Sequence, residues 1–127
     1  MVIESPLIPI TKKNHQQIFY ARVKGSSRKI PKVVPSKQYR QYEADCEPYM
    51  PVMKPIDYKV NVQCVYYMPT RRRVDLVNLL EATLDILVKY GVLEDDNSNI
   101  VACHDGCRVA YDKENPRTVI TIEGVEE

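Results

Sequence analysis

Apolar and polar residues alternate most regularly in "IDYKVNVQCVYYM", residues 56–68: Ile56, Tyr58, Val60 and Val62 fall on one side, with Asp57, Lys59, Asn61 and Gln63 on the other. A period of two predicts a strand with one buried face. The pattern then lengthens. Between Asp75 and Tyr90 the apolar set Leu76, Leu79, Leu80, Thr83, Leu84, Ile86 and Leu87 recurs at helical spacing, and Gly91 stands where a helix C-cap glycine belongs. A helix over 75–90 is expected. Upstream, "PSKQYRQYEADCEPYM" offers Ser36 as an N-cap and carries Tyr39, Tyr42 and Tyr49 near helical spacing. This predicts a shorter helix ending near Pro48.

The flanks read more weakly. "VIESPLIPI" alternates around two prolines and suits an edge strand that ends early, because proline cannot donate to the ladder. From Thr11 to Pro35 the chain is rich in Lys and Arg around Gly25, Ser26 and Ser27, with neither period. It reads as a long, basic, mobile loop. After the second helix, a polar turn leads to a strand near 99–103. A turn at Asp105-Gly106, a strand near 108–111 and a last strand near 118–122 complete the chain. Strands and helices mix without regular alternation, so the expected class is α+β, a mixed β-sheet with helices packed on it, in one domain spanning 1–127.

Composition narrows the functional classes. At 127 residues the chain is long enough to bury a core without staples, and 44% hydrophobic with 28% charged residues excludes a largely disordered chain. The net charge of +1 excludes a uniformly basic coat, so any contact with nucleic acid must be local. No apolar run approaches the roughly 20 residues of a membrane span. No signal-peptide plan opens the chain either, so a cytoplasmic protein without membrane contact is expected. The four cysteines suit that compartment as reduced thiols. Cys103, His104 and Cys107 are close enough to raise a metal site, but the C-x3-C spacing has no second pair like it.

The local cations stand in "RRRVDLVNLLEA", residues 71–82, where Arg71, Arg72 and Arg73 sit beside Asp75 at the predicted helix start. Asp75 has an ordinary role as an N-cap, and Asn78, Glu81, Asp85 and Lys89 can form a solvated helix face with Asp85 and Lys89 paired. A second acidic group, Glu94, Asp95 and Asp96, follows the helix. Two carboxylate clusters on one strand-helix-strand unit suggest a Mg²⁺ site across the sheet edge, since Mg²⁺ takes oxygen ligands. Arginines beside such a site fit a phosphodiester substrate, with guanidiniums holding phosphate oxygens.

Residues 68–101, "MPTRRRVDLVNLLEATLDILVKYGVLEDDNSNIV", resemble the central motif of RusA-type Holliday junction resolvases. That motif comprises a proline and basic run, D-L-D-N at a helix start, an aspartate inside the helix, a glycine and a closing acidic pair. "ENPRTVITI" fits the family's last strand. The resemblance implies an α+β homodimer, often phage- or prophage-encoded, that binds four-way DNA junctions and makes paired symmetric nicks using Mg²⁺. Asp75 then matches the first aspartate, Asn78 the asparagine, Asp85 the internal aspartate and Asp95 and Asp96 the acidic pair, while Arg71 to Arg73 match the basic run.

Two positions depart from the motif. Val77 occupies the place of the second aspartate, and Glu81 stands where the family has a lysine. Valine cannot ligate a metal. The expected carboxylate set is therefore Asp75 and Asp96, with Asp95 beside them, completed by Glu81 one turn beyond Val77 or by Asp105 in "HDG". Arg71, Arg72, Arg73 and Asn78 are expected to contact DNA, joined by Lys12, Lys13, Arg28 and Lys29 of the basic segment. Two rival readings remain: a junction-binding protein that has lost catalysis, and a nuclease preferring other branched DNA.

Overall fold

A computed structural model describes the backbone of residues 1–11, 16–22 and 29–126, with side chains described for 1–11 and 36–126. The elements run β1 (Val2–Ser5), β2 (Gln16–Arg22), β3 (Lys29–Pro35), α1 (Lys37–Cys46), a short 3-10 turn (Glu47–Tyr49), β4 (Val60–Met68), α2 (Leu76–Lys89), β5 (Val101–Cys103), β6 (Arg108–Tyr111) and β7 (Arg117–Gly124). The expected α+β class holds, with a mixed five-stranded sheet and two helices.

β4 organises that sheet. One of its edges pairs antiparallel with β7 along its whole length, and β7 pairs in turn with β1. The other edge takes β5 against Val60 and Asn61, then β6 against Val65 to Met68, both parallel to β4. The Asp105-Gly106 turn therefore does not make a hairpin. It joins two segments of one interrupted outer strand, and Gly106 adopts a φ of 86°, where a side chain is strained.

The core lies between the sheet and the helices. Val60, Val62, Cys64 and Tyr66 of β4, with Ile120 and Ile122 of β7 and Ile3 of β1, meet Leu79 and Leu87 of α2. A second cluster joins Tyr39, Tyr42 and Cys46 of α1 to Ala82 and Ile86 of α2. The tie between α2 and the sheet is also polar. The Tyr66 hydroxyl lies 2.6 Å from Thr83 Oγ1, which itself donates to the Leu79 carbonyl at 2.9 Å. Both residues are buried, so a bond between them avoids leaving a polar atom without a partner.

The helix signals read in the sequence are realised. Ser36 Oγ accepts from the Tyr39 amide at 3.1 Å, capping α1, and Gly91 takes a φ of 73° just after α2. The basic segment differs from the expected loop: β2 and β3 form an antiparallel ribbon with Gln16 opposite Pro35 and Arg22 opposite Lys29. Ladder hydrogen bonds are backbone bonds and need no alternating side chains, so a two-stranded ribbon can form without the period a buried strand shows.

Candidate functional site

The start of α2 assembles most of the residues singled out in the sequence. Asp75 is its N-cap, in extended backbone (φ −95°, ψ 110°), with Oδ1 accepting the Val77 amide at 3.1 Å. Arg71, Arg72 and Arg73 form the exposed approach to it. The Arg71 guanidinium stacks over the Tyr111 ring of β6, 4.3 Å from its centroid. A cleft of about 770 Å³ opens here, lined by Arg72, Arg73, Asp75 and Asn78 on one side and by Ile8 and Ile10 of the segment after β1 on the other. Asn78 is buried rather than solvated, at the floor of this cleft. Two guanidiniums, the unpaired amides of a helix start and one amide side chain suit an anionic ligand such as a phosphate.

The second acidic group lies elsewhere. Leu93 bridges Ile56, and the Glu94 amide donates to the Ile56 carbonyl at 3.0 Å, which fixes this turn beside the entry to β4. Asp95 accepts from the Asp96 amide at 2.7 Å through Oδ1 and from Asn97 Nδ2 at 3.0 Å through Oδ2. Asp75 follows the exit of β4, and the 14-residue α2 runs back between the two, an axial length of about 21 Å. One chain thus holds Asp75 and the Asp95-Asp96 pair at opposite ends of a helix.

The remaining candidates are dispersed as well. Glu81 is exposed on the outer side of α2, one turn past Val77, which is itself 68% exposed. Asp105 sits in the 104–107 turn, where its amide donates to Asn61 Oδ1 at 2.7 Å and its carbonyl accepts from Asn61 Nδ2 at 3.1 Å. Among the described residues, no three His, Cys, Asp or Glu side chains are grouped to hold a metal ion. Asp75 and the Asp95-Asp96 pair of one chain thus do not come together in a single group among the described residues. Lys89 pairs with Glu43 of α1, tying the helices together. Lys12, Lys13 and Arg28 lie outside the described residues, and of Lys29 only the backbone, at the start of β3, is described.

Two features of the site were not read from the sequence. The apolar wall at Ile8 and Ile10 follows from the course of the chain after β1, where Ser5 Oγ accepts the Leu7 amide at 3.1 Å and Thr118 Oγ1 donates to the Leu7 carbonyl at 2.8 Å. The Tyr111 platform under Arg71 depends on β6 lying parallel to β4, which places Tyr111 opposite Met68. A second stacked arginine, Arg117, lies 3.8 Å from the centroid of Tyr67 on the sheet. It also bonds Asp112 Oδ2 at 2.8 Å, and this contact holds the Asp112 carboxyl below the usual carboxylate range.

Comparison with known proteins follows the same lines as the geometry. The family model described as Endodeoxyribonuclease RusA matches residues 6–123. A relative from Aquifex aeolicus (strain VF5), described as "Crossover junction endodeoxyribonuclease RusA", is 38% identical over 42 residues. That match covers 33% of this chain and 33% of the relative, so it spans about a third of the relative's length.

Proposed function

The chain belongs to the RusA endodeoxyribonuclease family, and from that premise we propose that it is an endodeoxyribonuclease acting on four-way DNA junctions. The observation that carries the reading is the cleft at the start of α2, where Arg72, Arg73, Asp75 and Asn78 converge beside a helix N-terminus. In this reading Arg72 and Arg73 bind phosphate oxygens, and the helix start favours the negative charge that grows on the phosphorus oxygens during hydrolysis. Arg71, held by Tyr111, steers the approaching backbone. Water attacks phosphorus, the P–O3′ bond breaks, and the nick retains a 5′-phosphate and a 3′-hydroxyl.

The separation of the carboxylates supports a working unit of two copies. The outer side of α2 carries Val77, fully outward, with Leu80, Leu84 and Val88 half-buried beside it, a stripe at helical spacing. Two α2 helices packed antiparallel along this stripe set the Arg71 to Arg73 run of one copy against Glu94, Asp95 and Asp96 of the other. Opposite charges then face each other at both ends, and Asp75 of one copy approaches Asp95 and Asp96 of the second. In this reading Asp75 of one copy and Asp95 and Asp96 of the other would hold the Mg²⁺ expected for the family, with water completing its shell. A two-fold pair of sites also matches the two-fold symmetry of a four-way junction.

Mixing two inactive variants tests this. Asp75→Asn and Asp96→Asn homodimers, each assayed on a labelled synthetic four-way junction with Mg²⁺, are expected to be inactive. Unfolded together and refolded, they form mixed dimers with one intact site and one doubly altered site, so single nicks return if carboxylates are shared between copies. No recovery in mixed dimers of verified composition refutes the shared site. Tight junction binding by the unaltered protein without any Mg²⁺-dependent nick refutes the nuclease assignment. That outcome favours the binding-only reading, which the exposed Val77 in place of an aspartate also supports. Flap and three-way substrates in the same assay decide whether four-way geometry is preferred.

A further inference from the structure

The interruption between β5 and β6 leaves β4 without a neighbouring backbone along Val62 to Cys64, and two side chains fill the gap. His104 Nδ1 donates to the Val62 carbonyl at 2.7 Å. Cys107 Sγ accepts the Cys64 amide at 3.2 Å, and its S–H donates to the Val62 carbonyl at 3.3 Å. A thiol therefore takes the place of a peptide group in the ladder. Cys64 points from the same strand into the core and is fully buried, whereas Cys107 is only half-buried at the sheet margin.

The two cysteines stand beside each other on neighbouring strands and differ in exposure. The Cys64 thiol and amide both bond the Cys107 sulfur, and His104 is beside it, so the Cys107 thiol is held well below the ordinary thiol range despite its partial burial. The same contact with Cys107, together with burial, pushes the Cys64 thiol up. The half-buried Cys107, the one peroxide reaches first, thus stands beside a fully buried Cys64. The residues immediately following them, Val65 and Arg108, are paired neighbours on parallel strands. Adjacent strands run about 4.8 Å apart, inside the Cα separation of roughly 4.4–6.8 Å that disulfides span.

We propose that Cys107 and Cys64 form a peroxide-reactive site that closes into an intramolecular disulfide. The Cys107 thiolate attacks one oxygen of hydrogen peroxide, the O–O bond breaks, and Cys107 becomes a sulfenic acid as hydroxide leaves and is protonated to water. Cys64 sulfur then attacks the Cys107 sulfur, the S–O bond breaks, and the departing hydroxide takes the Cys64 proton as a second water. Two thiols lose two electrons and two protons to one peroxide. The bridge crosses β4 to the start of β6, the strand that carries Tyr111 under Arg71.

The test uses the whole reduced protein, treated with graded hydrogen peroxide and analysed by intact mass and peptide mapping under non-reducing conditions. The expected result is the loss of two hydrogens and two titratable thiols, a crosslinked peptide pair containing Cys64 and Cys107, and full reversal by dithiothreitol. Cys103→Ser is expected to leave this unchanged, while Cys64→Ser traps a dimedone-reactive sulfenic acid at Cys107. A bridge from Cys103 to Cys107, first oxidation at Cys46 or Cys103, or peroxide resistance of both Cys64 and Cys107 overturns the proposal. The peptide map of the unaltered protein decides this even if a variant fails to fold.

Discussion

Replacing Asp75 by asparagine separates its role in folding from its role in chemistry. In the folded chain Asp75 Oδ1 accepts the Val77 amide at 3.1 Å, and asparagine offers a carbonyl oxygen at the same place. Alanine offers none. Loss of an N-cap acceptor costs about 1 kcal/mol, with a range of roughly 0.5–2 kcal/mol, whereas asparagine is as good a cap as aspartate. What asparagine forfeits is the attraction between the carboxylate and the helix start, about 0.3–1 kcal/mol for an exposed group. In a chain of this length each kcal/mol moves the melting temperature by about 3–4 °C. Asp75→Ala should then melt about 2–8 °C lower and Asp75→Asn at most about 4 °C lower, measured at fixed protein concentration. Junction cleavage should fall by at least about 100-fold in both, the scale of removing one charge-stabilising group from a reaction centre, while junction affinity is retained. Equal destabilisation by the two substitutions refutes the capping argument. Cleavage by Asp75→Asn at the unaltered rate refutes the placement of Asp75 in the chemistry.

Two further outcomes follow from contacts described above. Thr83→Val leaves the Tyr66 hydroxyl buried without its 2.6 Å partner and should cost about 1–3 kcal/mol, more than Tyr66→Phe at about 0.5–1.5 kcal/mol, which leaves Thr83 bonded to Leu79; urea denaturation of both variants checks the order, and a reversal refutes it. Changing Arg71, Arg72 and Arg73 together to glutamine should reduce the slope of log affinity for junction DNA against log salt by up to about 2.7 for each bound copy, at about 0.9 per phosphate contact, and an unchanged slope removes these arginines from the interface.

The elements nearest the site were the most legible. Asp75 as a cap, the Leu76 to Leu87 repeat and Gly91 specify α2 through local chemistry alone, and its observed span, Leu76–Lys89, lies within the expected one. Ser36 did the same for α1. What a period cannot convey is which neighbour covers a face. Asn78 looked solvated because it is polar, yet it is buried beside the cleft that Ile8 and Ile10 wall. Tyr58 shares the phase of Val60 and Val62 but is 58% exposed, since the paired strand begins only at Val60. The parallel course of β5 and β6 was hidden because Asp-Gly signals a turn without stating what it connects. The distance between Asp75 and the Asp95-Asp96 pair was hidden for a related reason: a motif fixes the order of residues, while the rigid rod between them fixes where they end up.

The broken outer strand also bears on solubility. Had residues 101–111 run straight beside β4, the sheet would present an unbroken eleven-residue edge with every second residue's amide and carbonyl unpaired, a template onto which a strand from another molecule could zip. Ejecting residues 104–107 divides that rim into a three-residue and a four-residue piece, and Arg108 starts the longer one with a charge. His104 and Cys107 keep β4 bonded across the break, so the sheet stays intact inside while its border is too short to recruit a stranger.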